Sequence, residues 1–114
     1  RENFIGTSTI QIIREGMRMA VTEGSARSLN ALPVSIAGKT GTAQTGEPFE
    51  EHAWFTGFAP YENPELVLTV LVEKGGEGSS ISVPIAKDIF DWYFSQERKI
   101  ETPSQKDGFQ ASFE

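Results

Sequence analysis

The sequence predicts an α+β fold: an antiparallel three-stranded meander flanked by an N-terminal and a C-terminal helix. Three observations carry this. An apolar stripe repeats at three- and four-residue steps near the start, three short β-branched or aromatic runs follow with turn clusters between them, and a second helical stripe comes after the last run. At 114 residues, with 38% hydrophobic and 11% aromatic content, the chain is long enough for one compact core and too short for two.

The first helix is read from Ser8 to about Glu23. Ile10, Ile13, Met17, Ala20 and Val21 share one face. Ser8-Thr9-Ile10-Gln11 has the form of a capping box, and Gly24 is a natural stop. Gly24 to Pro33 is small and polar. A first strand is expected from about Ser35 to Gln44, where β-branched residues alternate through Lys39-Thr40-Gly41-Thr42-Ala43.

Thr45-Gly46-Glu47-Pro48 is a turn cluster, and Ala53 to Phe58 is an aromatic strand that Pro60 ends, because proline cannot donate to a ladder. After a turn at Glu62-Asn63-Pro64, Leu66 to Glu73 is almost continuously apolar, as for a strand buried on both faces. Gly75-Gly76-Glu77-Gly78 closes it, and the short connections imply an antiparallel meander. The second helix is expected from Val83 to about Arg98, with Pro84 in its first turn and Ile85, Ile89, Trp92 and Tyr93 on its apolar face. From Glu101 the residues offer little to bury, which reads as a mobile tail.

Composition excludes several function classes. The formal net charge is −6 and the basic residues are scattered, which argues against a nucleic-acid partner, since binding a phosphate backbone needs clustered Lys and Arg. No cysteine is present, so disulfides and thiolate metal sites are out. The longest apolar-leaning stretches, Leu66 to Val72 and Ile85 to Phe94, fall well short of the roughly 20 residues a membrane span needs. Any membrane anchor is expected outside this chain.

The chemistry-bearing segment is Lys39-Thr40-Gly41-Thr42. On a strand it sets an ammonium, two hydroxyls and an unshielded backbone within a few ångströms of one another, a docking rail for an anionic peptide added by β-augmentation. Thr40 and Thr42, two apart, point to one side and together suit a carboxylate, with Lys39 supplying positive potential. Gly41 leaves room for a ligand main chain, and an amide of the strand can aim at a developing oxyanion.

A Lys-Thr-Gly tripeptide alone occurs by chance in many proteins, so its surroundings carry the weight. The run Ile36 to Gln44 followed by His52-Ala53-Trp54-Phe55-Thr56-Gly57-Phe58-Ala59-Pro60 resembles the third-motif region of penicillin-binding proteins. Asn63-Pro64-Glu65, Val72-Glu73, the glycines Gly75, Gly76 and Gly78, and Pro84-Ile85-Ala86 resemble the elongation-type class B enzymes often called penicillin-binding protein 2. The likeness covers roughly Thr7 to Phe94.

That resemblance implies the five-stranded serine transpeptidase/β-lactamase-like fold. Residues 1–98 would be the C-terminal part of a transpeptidase domain and 99–114 a flexible tail. It implies a D,D-transpeptidase that cross-links peptidoglycan stem peptides ending in D-Ala-D-Ala through a serine acyl-enzyme and is acylated by β-lactams. Lys39 and Thr42 would be the catalytic contributions, Lys39 polarising the site against a second-motif serine and the Thr42 amide serving as one oxyanion donor. Thr40, Gly41 and Thr42 would bind the substrate or β-lactam, the two threonines holding its carboxylate. The implied setting is the extracytoplasmic, periplasmic side of a bacterial cell membrane. The implied partners are the remainder of the transpeptidase domain and a membrane glycosyltransferase of the elongation machinery; no cofactor and no metal are implied.

One departure bears on activity. No Ser-x-x-Lys occurs in the 114 residues, so the nucleophile and its companion lysine are missing and the chain alone is expected to be silent. Ser28-Leu29-Asn30 spells Ser-x-Asn but lies only nine residues before Lys39, too near for the family's second motif, and reads as a loop coincidence. His52, the sole histidine, has no evident Ser or Cys partner and reads as structural or surface. Glu47, Glu50 and Glu51 lack metal spacing and read as a solvated turn. Trp54, Phe55 and Phe58 read as core first, as do Phe90, Trp92, Tyr93 and Phe94. Two alternatives stay open at this level: a serine β-lactamase or β-lactam sensor sharing the lysine-threonine-glycine strand, and a non-catalytic peptide-binding module.

Overall fold

The structure, a computed structural model, describes residues 4–107. Its elements run α1 (Thr7–Thr22), a short 3₁₀ helix (Arg27–Ala31), β1 (Ala37–Gln44), β2 (Glu51–Ala59), β3 (Leu66–Val72) and α2 (Gly78–Asp107). The strands form one antiparallel sheet in the order β1-β2-β3. The expected meander between two helices is therefore present.

The register divides the sheet into two faces. Phe55 lies opposite Thr40 on one side and Val70 on the other, so Gly38, Thr40, Thr42, Ala53, Phe55, Gly57, Leu68, Val70 and Val72 share the face that α2 covers. Phe55 is fully buried there and meets the Phe90 ring edge-on, centroids 6.5 Å apart. Gly38 and Gly57 are cross-strand partners, and a Cβ on Gly38 or Gly57 would come within 2.5 Å or 2.6 Å of the Phe55 ring. The ring lies across two side-chain-free positions, which lets it sit close against the backbone of both strands.

The opposite face carries Trp54, Thr56, Val67, Thr69 and Leu71, all exposed. β3 is thus buried on one face rather than on both, because among the described residues only the α2 side of the sheet is covered. Val67 is 73% exposed and Leu71 44%.

α1 starts one residue before the expected capping serine. Gly6, in an extended conformation, occupies the N-cap and its carbonyl accepts the Ile10 N–H at 3.1 Å, which leaves Ser8 inside the helix with no capping role. At the other end Glu23 is the C-cap, and Gly24 follows where a Cβ would come within 3.1 Å of the Ala20 backbone. Of the expected apolar face only Val21 is fully buried; Met17 and Ala20 are half-buried, while Ile10 and Ile13 stay 44% and 53% exposed. Two arginines hold the helix to the sheet side. Arg18 Nη1 donates to Ile36 O at 2.7 Å. Arg14 Nη2 donates to Tyr61 O at 2.7 Å, with its guanidinium over the Phe58 and Tyr61 rings at 5.3 and 4.8 Å.

α2 begins five residues earlier than expected because Glu77 caps it. The Glu77 carboxylate accepts from Ser79 Oγ at 2.6 Å, Ser80 Oγ at 2.9 Å and Ser80 N at 3.2 Å, and its carbonyl accepts the Ile81 N–H at 3.1 Å. Pro84 therefore falls in the second turn, not the first. The face that meets the sheet is Val83, Ala86, Phe90 and Phe94, rotated from the expected stripe, while Ile85, Ile89 and Trp92 are exposed. The helix is apolar around much of its surface, and the small Ala86 beside Phe90 is the side that fits the sheet. The helix also runs on to Asp107, past the expected end near Arg98; Gln96 to Glu101 are mostly good helix formers. Residues 108–114, the rest of the expected tail, lie outside the described residues.

Candidate active-site strand

β1 is an edge strand, paired on one side only. Which of its amides face the open side follows from the ladder. Thr45 N donates to Glu50 O at 3.3 Å, so Thr45 and Glu50 form a hydrogen-bonded pair; such pairs alternate, making Ala43, Gly41 and Lys39 the residues that bond to β2. The N–H and C=O groups of Gly38, Thr40, Thr42 and Gln44 consequently point away from the sheet. The Thr42 amide, expected as an oxyanion donor, lies on this open edge.

The side chains sort by the same alternation. Thr40 and Thr42 are on the α2 face, and Lys39 is on the other, opposite Thr56. Lys39 bends back to the edge, where its Nζ donates to Thr40 O at 2.6 Å. Ammonium, two hydroxyls and an outward amide therefore converge on one strand edge, with Lys39 and Thr42 exposed and Thr40 and Gly41 half-buried. At Gly41 a Cβ would meet Trp54 Cβ at 3.5 Å, an ordinary contact, so nothing among the described residues requires glycine there.

Each threonine hydroxyl has a partner from another element. Gly78 N, at the start of α2, donates to Thr42 Oγ1 at 3.1 Å. Gly78 sits against the motif so closely that a Cβ on it would run into Gly41 O and come within 2.8 Å of Trp54 O. Ser25 Oγ, from the loop between α1 and the 3₁₀ helix, is 2.8 Å from Thr40 Oγ1. The sequence reading missed both. Gly78 carried a signal, as a glycine closing a turn cluster; Ser25 carried none, because only the fold-back of the α1 loop brings it to β1.

The other motif-like residues lie away from the β1 edge or in its flanking turns. His52 Nδ1 accepts the Lys74 N–H at 2.9 Å and so holds the turn after β3. Ser28 and Asn30 are exposed within the 3₁₀ helix around buried Leu29. Glu50 accepts from Thr45 Oγ1 at 3.0 Å and pairs with Lys74 at 3.6 Å, and no group of three or more potential metal ligands occurs among the described residues. Two carboxylates titrate low: Ser79 and Ser80 hydroxyls hold the Glu77 carboxyl below its ordinary value, and the Ser35 hydroxyl, 2.6 Å away, does so for Glu62. No described helix is long and apolar enough to cross a membrane.

Comparison with known proteins gives one consistent answer. Over 75 residues the chain is 41% identical to the peptidoglycan D,D-transpeptidase MrdA of Haemophilus influenzae, covering 54% of this chain and 12% of that protein. Among solved structures, penicillin-binding protein 2 of Pseudomonas aeruginosa in complex with WCK 5153 superposes with a TM-score of 0.67 at 36% identity, over 75% of this chain and 20% of the other. The imipenem acyl-enzyme of penicillin-binding protein A from Mycobacterium tuberculosis gives 0.64 at 32% identity, over 76% and 19%. Penicillin-binding protein 2 of Helicobacter pylori, complexed with MreC, gives 0.62 at 35%, over 73% and 17%. The chain thus spans under a fifth of the curated relatives it matches. Residues 1–91 match the family described as the penicillin-binding protein transpeptidase domain, and with the lysine-threonine-glycine strand at the open edge of an antiparallel sheet, the chain belongs to that family.

Proposed function

We propose that this chain is the C-terminal portion of a peptidoglycan D,D-transpeptidase of the elongation type, and that β1 is the strand along which the donor stem peptide docks. The observation that carries the reading is the convergence on the open β1 edge of Lys39 Nζ, the outward Thr42 amide and the Thr40 and Thr42 hydroxyls, each hydroxyl already engaged from behind. A serine from the remainder of the domain attacks the penultimate D-Ala carbonyl, the peptide C–N bond breaks, and terminal D-Ala leaves. The amine of a neighbouring stem peptide then attacks the ester and releases the serine. A β-lactam replaces the donor and stalls at the ester.

Within that reaction Thr40 and Thr42 hold the terminal carboxylate, with charge-assisted hydrogen bonds stronger than neutral ones. The Thr42 N–H stabilises the oxyanion as it forms. Lys39 supplies positive potential beside the second-motif serine. The catalytic domain belongs on the extracytoplasmic side of the bacterial cell membrane, with the anchor outside residues 1–114, and works beside a membrane glycosyltransferase. The MreC-bound relative supports a place among elongation proteins.

The test is acylation by a fluorescent penicillin. The complete protein carrying this chain is expected to form a covalent, denaturation-resistant adduct, and residues 1–114 alone none. Absence of an adduct on the complete protein would favour a non-catalytic peptide-binding module.

A further inference from the structure

We infer that Ser25 is a positioning residue for Thr40: it donates to the Thr40 hydroxyl, leaving that hydroxyl's proton for the ligand carboxylate. This rests on the reading of β1 as the carboxylate-binding strand. The two oxygens lie 2.8 Å apart, and with no ligand either one can be the donor. A carboxylate accepts only, so once it docks Thr40 must donate to it, and the remaining contact can be kept only with Ser25 as donor. The chain Ser25 O–H to Thr40 O–H to carboxylate then runs in one direction, and each bond polarises the next.

Thr42 is served in parallel. Gly78 N–H fills a lone pair of Thr42 Oγ1 at 3.1 Å and can never act as an acceptor for it, so Thr42 too is left with its proton free. The two clamp hydroxyls are thus each backed by a donor from a different element, one a fixed amide and one a rotatable hydroxyl. The Ser25 side of the clamp is the adjustable one.

Ser25 is not needed to hold its own loop. Ala26 N donates to Ala20 O at 3.0 Å, Arg27 N and Nη1 both bond Gly24 O, and Ala26 and Leu29 are fully buried. Ser25 itself is exposed, so water satisfies whatever its removal uncovers. A serine-to-alanine change therefore reports on the clamp rather than on folding.

The experiment measures fluorescent-penicillin acylation of the complete protein, separating the apparent binding constant from the limiting acylation rate. Ser25→Ala is expected to weaken apparent binding by about 3- to 10-fold, the size of one neutral hydrogen bond, with a smaller effect on the limiting rate. Ser25→Thr, which keeps the hydroxyl, restores binding to within about twofold. In a Thr40→Ala background Ser25→Ala should add nothing, because its route to the ligand is gone. Wild-type binding by Ser25→Ala, or an equal loss in both backgrounds, overturns the inference while leaving the transpeptidase reading intact. A wild-type protein that penicillin never acylates overturns that reading and this inference with it.

Discussion

Gly78 N donates to Thr42 Oγ1 at 3.1 Å, so the first residue of α2 is fastened to the third-motif strand. The start of the last helix is thereby tied to the strand proposed to hold the carboxylate, although it lies 36 residues further along the chain. Gly78 is also the one residue there that fits, since a side chain would strike the Gly41 carbonyl.

Gly78→Ala is therefore expected to push α2 off β1. Overpacking of this kind costs about 1–3 kcal/mol, seen as a lower thermal midpoint of the complete protein, together with slower penicillin acylation. Unchanged midpoint and unchanged acylation would show that the contact is not tight.

Thr42→Val keeps the shape of the side chain and removes its hydroxyl. Losing one hydrogen bond to a charged group costs about 1.5–3 kcal/mol, so acylation by a carboxylate-bearing penicillin should fall roughly 10- to 100-fold. The backbone amide, the Thr40 hydroxyl and Lys39 are all retained, so the loss reports the Thr42 hydroxyl alone. Acylation at the wild-type rate would remove Thr42 from the carboxylate site.

Phe55→Ala should be the most damaging single core change, because the ring is fully buried against Phe90 and spans Gly38 and Gly57. A loss of about 3–5 kcal/mol in urea denaturation of the complete protein is expected. A loss below 1 kcal/mol would mean that the sheet does not depend on this ring.

Acid should loosen the start of α2. The Glu77 carboxyl titrates below its ordinary value of 4.5 because Ser79 and Ser80 donate to it. A lowered folded-state value means stability that is present above 4.5 and is lost as the pH falls through the folded value. Glu77→Gln cannot titrate. Its stability deficit relative to wild type should be largest near neutrality and shrink as the pH drops below 4.5; a deficit constant with pH would contradict the assignment.

Residues 1–114 made alone should self-associate. Ile10, Ile12, Ile13, Val67 and Leu71 are exposed and the β1 edge is unpaired. Light scattering after size exclusion is expected to show mass rising with concentration, and a strict monomer across the range would count against this.

Much of this was legible in the sequence. Strand spacing and turn clusters gave the meander because Pro60, Asn63-Pro64 and the 75–78 glycines interrupt it locally, and the Lys39 to Thr42 motif marked the strand that lies at the sheet edge. What was not legible depended on neighbours. The apolar stripe of α2 ran nearly around the helix, so only contact with Phe55 selects Phe90 over Ile89. Ile10 and Ile13 share a face with Val21 in the pattern, yet they stay exposed, and periodicity carries no information about where a partner layer ends. Ser25 and Gly78 reach the motif only through tertiary folding.

Lys39 lies on one side of β1 and Thr40 and Thr42 on the other, a division that depends on parity alone. Deleting or inserting a single residue between Ala37 and Lys39 would leave the composition almost unchanged and yet turn the ammonium toward α2 and the hydroxyls toward Thr56 and Trp54. The motif is a count as much as a set of residues: swapping a hydroxyl-bearing side chain for another is a small perturbation, and a one-residue slip is a complete inversion of the site.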